Sequence, residues 1–413
     1  MRKWKKRSMQ NNQTKFKETE LGLIPEDWEL SQLDEIIDFD PPRKIKKGDN
    51  IKFVAMTDVN TFNKKISNFT EREFDGGSKF KNGDTLLSRI TPCLENGKTA
   101  FVDILNENEN AGGSTEFIVM SGKRGRSNSE FVYYLAISSD FRKMAIQAMV
   151  GTSGRQRVQV DRLKSHQMAI PPLLEQEKIA EVLGALDEKI ELNRKMNKTL
   201  ESLAQAIFKK RFIDDSDPNW ETKRLKDICE IKNGFAFKSG DYSEEGIFLL
   251  RTSNFNSEGY AVKNDPIFLP NNFNQTFSNY RLKKFDILLV MVGASVGKRS
   301  FVFSNILPAL QNQNMWNFRA YNQKNQFFLK FLVDQIVESN IGSASGSARD
   351  FFRKDYFREI KFSLPSQNLL DEFYETLLPH FEMVDKNIKE IETLSQIRDS
   401  LLPRLMSGKL RVK

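Results

Sequence analysis

The chain contains an internal duplication, and no other feature constrains its fold as strongly. Four segments of the first half recur in the second half, in the same order and at a spacing of almost 200 residues. The matched pairs are WELSQLDEI (28–36) with WETKRLKDI (220–228), KNGDTLLSRI (81–90) with KKFDILLVMV (283–292), NGKTAFV (96–102) with VGKRSFV (296–302), and DRLKSHQMAIPP (161–172) with DYFREIKFSLPS (355–366). Because chance matches would not stay collinear, the sequence predicts a tandem repeat with diverged middles.

Each repeat has the same internal plan. Its first part contains short apolar runs such as IKFVAM and DILLVMV, rich in β-branched residues and bounded by Gly, Asn and Asp. These runs predict the strands of a mixed α/β lobe. A proline signal, IPP at 170–172 or LPS at 364–366, then precedes a long helical segment. Proline suits a helix start, because its missing N–H would have no partner there.

The two long segments have the strongest apolar periodicity in the chain. Steps of four and three residues connect Ile179, Leu183, Leu186, Ile190, Leu200 and Ile207 in the first segment and Leu377, Phe381, Val384, Ile388 and Ile391 in the second. Asn193, Asn197 and Ala204 occupy the skipped positions. A seam of this kind needs a partner helix, and the nearest one is the other segment. We predict an antiparallel coiled coil, with packing of each helix on its own lobe as the alternative.

Charge supports the pairing of these segments. Residues 173–211 carry eight basic and seven acidic side chains, whereas residues 366–407 carry four basic and eight acidic ones. Opposite balances attract, and an acidic helix is a poor ligand for DNA. The second helix is therefore interpreted as a spacer and a protein-docking surface.

The predicted fold is α+β, or mixed α/β, with two similar lobes separated by two long helices and related by a pseudo-twofold duplication. The predicted boundaries are a basic flexible tail (1–19), a first lobe (20–172), a central spacer helix (173–211), a second lobe (212–365), and a C-terminal spacer helix with its tail (366–413).

Composition adds little to this picture. The chain has 413 residues, of which 39% are hydrophobic and 29% charged, as expected of a globular protein. It has no apolar run of about 18 residues and no secretory signal, and its two cysteines are far apart, so we expect a cytoplasmic protein. The net charge is +8, but residues 1–17 alone hold seven Lys or Arg and no acid. DNA binding must therefore be argued from the placement of charge.

Motifs that resemble catalytic sites are incomplete. Asp40-Pro41-Pro42 resembles the catalytic loop of adenine amino-methyltransferases, but Arg43 follows where an aromatic ring should stack on a flipped base. No glycine-rich cofactor loop accompanies it. The segment GASVGK (293–298) is one residue too short between its glycines for a phosphate loop. Two histidines, His166 and His380, cannot build a metallonuclease centre. We predict no catalytic residue and no metal site.

Several stretches resemble the specificity subunit of type I restriction–modification systems. They are LIPEDWEL (23–30), STEFIV (114–119), GTSGRQRV (151–158), the central segment 170–212 and LLPRLMSGKLRV (401–412). The resemblance implies that each lobe is a target-recognition domain for one half of a split double-stranded DNA target, and that the helices fix the gap. It implies two docked methyltransferase subunits, which motor-nuclease restriction subunits could join. S-adenosylmethionine, ATP and magnesium would be bound by those partners, and this chain would be non-catalytic.

Candidate DNA contacts are Arg, Lys, Asn and Gln in loops, because these side chains match base edges and phosphates. In the first lobe they are Arg43, Lys44, Lys46, Lys47, Arg89, Lys98, Arg155, Gln156 and Arg157; in the second they are Lys238, Arg251, Asn254, Lys298, Arg299, Gln311, Asn312, Gln313, Asn314 and Arg349. The run QNQN (311–314) could equally be a solvated turn. The alternative function is a coiled-coil adaptor whose lobes bind proteins and not DNA.

Overall fold

The computed structural model describes residues 15–152, 154–293, 295–341 and 353–412. The chain divides into two compact units. Unit 1 combines Met1–Leu192 with Glu392–Lys413, and unit 2 is Asn193–Ile391. The central helix (Leu173–Lys209) and the C-terminal helix (Gln367–Met406) each contribute residues to both units. Each unit thus contains one lobe and one part of both long helices.

The lobe of unit 1 contains fourteen strands, four short α-helices and one 3-10 turn among the described residues. The strands are β1 (Phe16–Thr19), β2 (Gly22–Pro25), β3 (Glu29–Gln32), β4 (Ile37–Phe39), β5 (Asn50–Val54), β6 (Thr70–Glu73), β7 (Ser78–Lys81), β8 (Thr85–Ser88), β9 (Thr99–Phe101), β10 (Asn110–Gly113), β11 (Phe117–Gly122), β12 (Met149–Val150), β13 (Arg157–Val158) and β14 (Gln167–Ile170). The helices are α1 (Leu33–Ile36), α2 (Ser129–Ile137), α3 (Ser139–Gln147) and α4 (Val160–Lys164).

Two four-stranded sheets organise this lobe. One has the order β4-β11-β8-β9 and is antiparallel, with Ile118 opposite Leu87. The other has the order β6-β5-β10-β7 and contains one parallel pair, β5 with β10. Strand β8 is buried along its length, and its residues alternate between two cores: Leu87 packs with α2, and Leu86 packs with the strands of the second sheet. Alternation is expected because successive strand side chains point to opposite faces.

The lobe of unit 2 contains nine strands and, besides 3-10 turns and the two long helices, four α-helices among the described residues. The strands are β15 (Glu221–Arg224), β16 (Cys229–Asn233), β17 (Ile247–Leu250), β18 (Phe268–Leu269), β19 (Ile287–Val290), β20 (Arg299–Phe301), β21 (Ala309–Gln311), β22 (Met315–Ala320) and β23 (Lys361–Leu364). With the central helix counted as α5 and the C-terminal helix as α10, the short helices are α6 (Leu225–Ile228), α7 (Phe273–Thr276), α8 (Gln326–Ile341) and α9 (Lys354–Glu359).

The sheets of the two lobes have the same topology, so the predicted duplication is confirmed. The order β16-β22-β19-β20 in unit 2 repeats β4-β11-β8-β9 in unit 1. The parallel pair β17 with β21 repeats β5 with β10. In each lobe, a strand near the start of the repeat pairs with the strand that precedes a long helix. These pairs are β3 with β14 in unit 1 and β15 with β23 in unit 2. Strand β18 pairs with β17 as β6 pairs with β5, and unit 1 adds only β7, at the other edge of its second sheet.

The two long helices pair antiparallel, as predicted. In unit 2, Asn193 Nδ2 donates to Glu390 Oε2 at 3.0 Å, and Asn387 Nδ2 donates to Asn197 Oδ1 at 2.8 Å. From residue 193 to residue 197 of the central helix, the partner residue in the C-terminal helix changes from 390 to 387, so the two helices run antiparallel. In unit 1, Arg398 and Asp187 continue the same sense, with 2.7 Å between guanidinium and carboxylate.

The predicted seam residues also pack on the lobes, so pairing and lobe packing occur together. Buried members are Ile179, Leu183, Ile190, Leu377, Phe381, Val384, Ile388 and Ile391. Leu186, Leu200 and Ile207 are half-buried. Ile179 and Leu183 belong to the core of α2 and α3, whereas Leu377 and Phe381 belong to that of α8 and β22. Each helix pair therefore extends the hydrophobic core of its own lobe.

Two boundaries differ from the prediction. The predicted flexible tail (1–19) includes strand β1, which pairs with β2 in a hairpin. Residues 1–14 of this tail lie outside the described part. The central helix ends at Lys209 and continues as one π-helical turn, Lys210–Asp214. Over the part of the chain that the structure describes, no helix is both long and apolar enough to cross a membrane.

Candidate nucleic-acid interface

The Asp40-Pro41-Pro42 motif anchors a loop to strand β11. The Asp40 N–H donates to the Val119 carbonyl at 2.7 Å, and the Val119 N–H donates to Asp40 Oδ1 at 2.9 Å. Asp40 has a left-handed backbone, with φ of 49°, which Asp tolerates better than most residues. Burial raises the pKa of its carboxyl. The motif therefore has a structural role at the entrance to the basic loop 43–47.

Arg43 is directed into the lobe. Its Nη2 donates to both carboxylate oxygens of Asp84, each at 3.0 Å, and Asp84 is fully buried. The carboxylate also accepts the Lys81 N–H at 2.8 Å. Because a buried carboxylate needs its counter-charge, this guanidinium is committed to the fold. The predicted contact of Arg43 with phosphate stays a prediction, because its guanidinium already has a partner within the lobe.

The rest of the basic loop faces solvent. Lys44, Lys46 and Lys47 are exposed. Lys79, which was not among the predicted contacts, donates from Nζ to the Ile45 carbonyl at 2.7 Å and so holds the loop. A cleft of about 420 Å³ opens beside this loop, and Lys79 and Arg89 line its basic side. This arrangement offers cations to a phosphate backbone.

The described residues of the GTSGRQR segment lie between β12 and β13 and at the start of β13. Arg155 is exposed, and Gln156 is half-buried, with its carbonyl accepting the Thr91 N–H at 3.0 Å. Arg157 makes a bidentate pair with Glu116, with N–O distances of 2.7–3.0 Å, which raises the pKa of its guanidinium. Arg89 ties the hairpin base to the lobe through the Val158 carbonyl at 3.2 Å. Arg155 is the cation of this loop that projects without such a constraint.

The repeated Gly-Lys pair performs the same task in both lobes. Lys98 donates from Nζ to the Met56 carbonyl at 2.7 Å, and Lys298 donates from Nζ to the Phe255 carbonyl. Each lysine thereby fixes a loop that follows the first strand of a parallel pair. In both lobes the lysine side chain therefore stabilises the conformation of a loop.

Two predicted arginines of the second lobe are paired with acids. Arg251 lies 3.1 Å from Asp265, and Arg299 lies 3.2 Å from Asp334 and 3.1 Å from Glu338. Arg299 borders a cleft of about 360 Å³ within unit 2. Its lining carries three acids (Glu201, Asp334 and Glu338) and three bases (Lys298, Arg299 and Lys330), so the cleft offers no net positive charge to DNA phosphates.

Asn254 and Gln311 are buried, which corrects their prediction as DNA contacts. Asn254 accepts the Arg251 N–H at 2.9 Å and donates to the Asn264 carbonyl at 2.7 Å. Gln311 donates to the Met315 carbonyl at 2.9 Å. Both amides satisfy backbone groups of turns, so neither has exposed surface to offer.

The remaining predicted contacts of the second lobe lie near its surface. Lys238, Gln313 and Asn314 are exposed, and Asn312 is half-buried, with its Oδ1 accepting the Gln313 N–H at 2.8 Å. Arg349 lies outside the described residues. Across residues 15–152, 154–293, 295–341 and 353–412, no cluster of His, Cys, Asp or Glu could hold a metal ion.

The repeated lobes and helices define the class of protein. The family model described as "Type I restriction modification DNA specificity domain" matches residues 25–202 and 218–393, and the chain belongs to this family. It is 27% identical to the type I restriction enzyme MjaIX specificity subunit of Methanocaldococcus jannaschii, over 97% of this chain and 98% of the relative. It is 26% identical to the HindI specificity subunit of Haemophilus influenzae, over 87% of this chain and 94% of the relative.

A solved structure supports the fold. The type I restriction–modification S subunit from M. genitalium superposes with a TM-score of 0.54 at 18% identity, covering 92% of this chain and 96% of that one. At this identity the likeness concerns architecture. It does not identify the residues of this chain that contact DNA.

Proposed function

We propose that this chain is the DNA-recognition subunit of a type I restriction–modification complex, in which each lobe reads one half of a bipartite target. The carrying observation is the pair of lobes with the same sheet order but different exposed loops. A common scaffold with variable loops is how one fold recognises different sequences. Membership of the DNA specificity domain family favours this function over a protein-binding adaptor.

Loop residues that stay exposed carry the proposed readout. In the first lobe these are Lys44, Lys46, Lys47 and Arg155, and in the second they are Lys238, Gln313 and Asn314. Lysine and arginine suit phosphates and guanine edges, whereas Asn and Gln suit adenine. The antiparallel helices set the gap between the half-sites and dock two methyltransferase subunits, which restriction subunits could join.

Exchange of one lobe tests this proposal. Replacing residues 20–165 with the corresponding lobe of a relative should change one half of the methylated motif and leave the other half intact. The matched control replaces the second lobe and should change the opposite half. Methylome sequencing of cells carrying each chimera gives the motif directly. Alteration of both halves by a single exchange would show that the lobes do not read DNA independently.

The proposed subunit is non-catalytic and acts in the cytoplasm with partner-bound cofactors. S-adenosylmethionine would bind the methyltransferase subunits, and ATP and magnesium would bind the restriction subunits. The purified chain, incubated with DNA and labelled S-adenosylmethionine, should transfer no label. Addition of the methyltransferase subunit should start incorporation. Robust transfer by the chain alone would contradict this assignment.

A further inference from the structure

The two long helices of this duplicated chain are similar enough to be confused with each other. At a displacement of 194 residues, Leu183 corresponds to Leu377 and Asn193 to Asn387, and all four are buried. The apolar seam and its central asparagines would therefore tolerate a central helix paired with the central helix of a second copy. A seam of this kind does not by itself select its partner.

One layer of the helix pair differs in chemistry between the units. In unit 1, Arg398 Nη1 donates to Asp187 Oδ1 at 2.7 Å, and both residues are buried, with exposed fractions of 9% and 6%. The Tyr134 hydroxyl donates to the second carboxylate oxygen, also at 2.7 Å. Each oxygen of the Asp187 carboxylate thus accepts one hydrogen bond, Oδ1 from the Arg398 guanidinium and Oδ2 from the Tyr134 hydroxyl. A buried ion pair satisfied in this way is stable, but loss of either member is costly.

The corresponding layer of unit 2 is apolar. The same displacement relates Asp187 to Phe381 and Arg398 to Ala204. Phe381 and Ala204 are buried in one hydrophobic cluster. The repeats therefore share a seam but not this layer, which contains charge in one unit and none in the other.

We propose that Asp187 and Arg398 form a pairing key that restricts the central helix to a C-terminal helix. In a pair of two central helices, Ala204 of the second copy would replace Arg398 and leave Asp187 buried without a counter-charge. In a pair of two C-terminal helices, Phe381 would lie beside Arg398. Asn193 and Asn387 cannot discriminate, because both repeats carry the same side chain. Since the two helices belong to one chain, their high effective concentration then favours the intramolecular pair.

Charge reversal between full-length copies tests the key. A tagged D187R chain has two arginines in this layer, and an untagged R398D chain has two aspartates. Exchange of helices between the copies restores both ion pairs. Co-expression should therefore yield a two-chain complex. Purification through the tag should recover about tenfold more untagged chain than it recovers from co-expressed tagged and untagged wild type, which is a modest ratio for a buried charge. Each reversed chain alone should be recovered poorly.

The matched control reverses exposed charges on the same helices. Co-expression of E188K with R404E should give the recovery of the wild-type mixture, because both residues are exposed. Reversed chains that fold and yet co-purify no better than wild type overturn the proposal. If the D187R and R398D chains are not recovered, the doubly reversed D187R/R398D chain shows whether a reversed ion pair fits into this layer. Recovery of the doubly reversed chain as a monomer would show that it fits. The absence of a complex between the co-expressed D187R and R398D chains would then overturn the proposal.

Should that double-reversed chain also fail to fold, D187F/R398A decides. This variant copies the layer of unit 2 and removes the key. Tagged and untagged copies of it should co-purify about tenfold more than the wild-type copies, because like helices can then pair. Co-purification no greater than that of the wild-type copies, or failure to fold, overturns the proposal.

Discussion

At the scale of single residues, the two lobes bury an aspartate at the same point and neutralise it with different arginines. Asp84 precedes β8 and pairs with Arg43 of the basic loop, whereas Asp286 precedes β19 and pairs with Arg319 of β22 at 2.5 Å. Both carboxylates also accept a backbone N–H three residues earlier. The turn before the strand thus has the same acid in both lobes, and its cation comes from a different element in each.

Substitution of Arg43 should destabilise the protein, whereas substitution of the neighbouring Lys44 should not. Arg43→Ala leaves Asp84 buried without its counter-charge, so we expect the free energy of unfolding to fall by about 3 kcal/mol. Lys44→Ala, in the same loop but exposed, should change it by less than about 0.5 kcal/mol. Denaturant titration of both variants measures the difference. Equal stability of the two variants would show that the Arg43–Asp84 pair contributes little.

Substitution of Arg155 tests the loop between β12 and β13 as a DNA contact. Because Arg155 is exposed and Arg157 is held by Glu116, Arg155→Ala should weaken DNA binding by the assembled complex more than Arg157→Ala. If Arg155 contacts a phosphate, the slope of log affinity against log salt should fall by about one. Arg162→Ala removes another exposed guanidinium of this lobe, on α4, and is the control. An affinity and a salt slope like those of the control would remove Arg155 from the proposed contacts.

At the scale of elements, sequence periodicity predicted the helices well and their polar contacts poorly. The predicted segments 173–211 and 366–407 compare with helices Leu173–Lys209 and Gln367–Met406. Heptad spacing and proline are local signals, so they need no knowledge of the partner. The buried pair of Asp187 with Arg398 depends on a partner 211 positions away, and charged residues usually signal an exposed face.

Loop residues were predicted least well for a related reason. Polar residue type in a loop indicates hydrogen bonding, but it does not tell whether the partner is DNA or the protein's own backbone. Asn254 and Arg43 satisfy internal groups, whereas Arg155 faces solvent. Only tertiary contacts distinguish these cases. Strand order, by contrast, follows from the duplication once one lobe is known.

The junction between the C-terminal helix and the second lobe should be sensitive to acid. Burial by itself raises the pKa of the Asp385 carboxyl, but hydrogen bonds from the Ser304 hydroxyl and N–H, together with Lys284, outweigh burial and lower it. The carboxylate form therefore stabilises the fold above the unfolded-state pKa of about 4, and this contribution disappears as pH falls through the lower folded-state value.

Asp385→Asn should therefore destabilise the protein at neutral pH, by about 1–3 kcal/mol for the lost charged hydrogen bonds. The difference from wild type should shrink as pH falls below about 4. Glu372→Gln on the same helix is exposed and should match the wild type throughout. Unfolding curves at several pH values provide the comparison. A constant difference between D385N and wild type across this range would exclude the ionisation of Asp385 as its cause.

At the scale of the whole molecule, two long helices take part in both units, so the proposed function predicts that helix length determines the gap in the DNA target. Asn193 pairs with Glu390, and Asn197 pairs with Asn387, so residues 195 and 389 lie at the same level of the antiparallel pair. Insertions placed after these two residues lengthen both helices between the same contacts. Unit 1 and unit 2 each retain their own helix pairing.

Seven residues inserted after Lys195 and seven after Lys389 should widen the gap in the DNA target. Seven residues keep the heptad seam in phase and add about 10 Å at about 1.5 Å per residue. Since duplex DNA advances about 3.4 Å per base pair, the gap should grow by about one to three base pairs, depending on the inclination of the helices to the DNA. The half-site sequences should stay the same, because the lobes are unaltered.

Insertion of two residues at the same positions is the matched control for this lengthening. It rotates the apolar faces out of phase, so the subunit should lose stability instead of gaining a longer gap. The methylated motif of each variant, sequenced from genomic DNA, reports half-sites and gap together. If the fourteen added residues leave an active complex with the original gap, the helices dock partners without setting the spacing, and the distance between half-sites must be determined by the methyltransferase subunits.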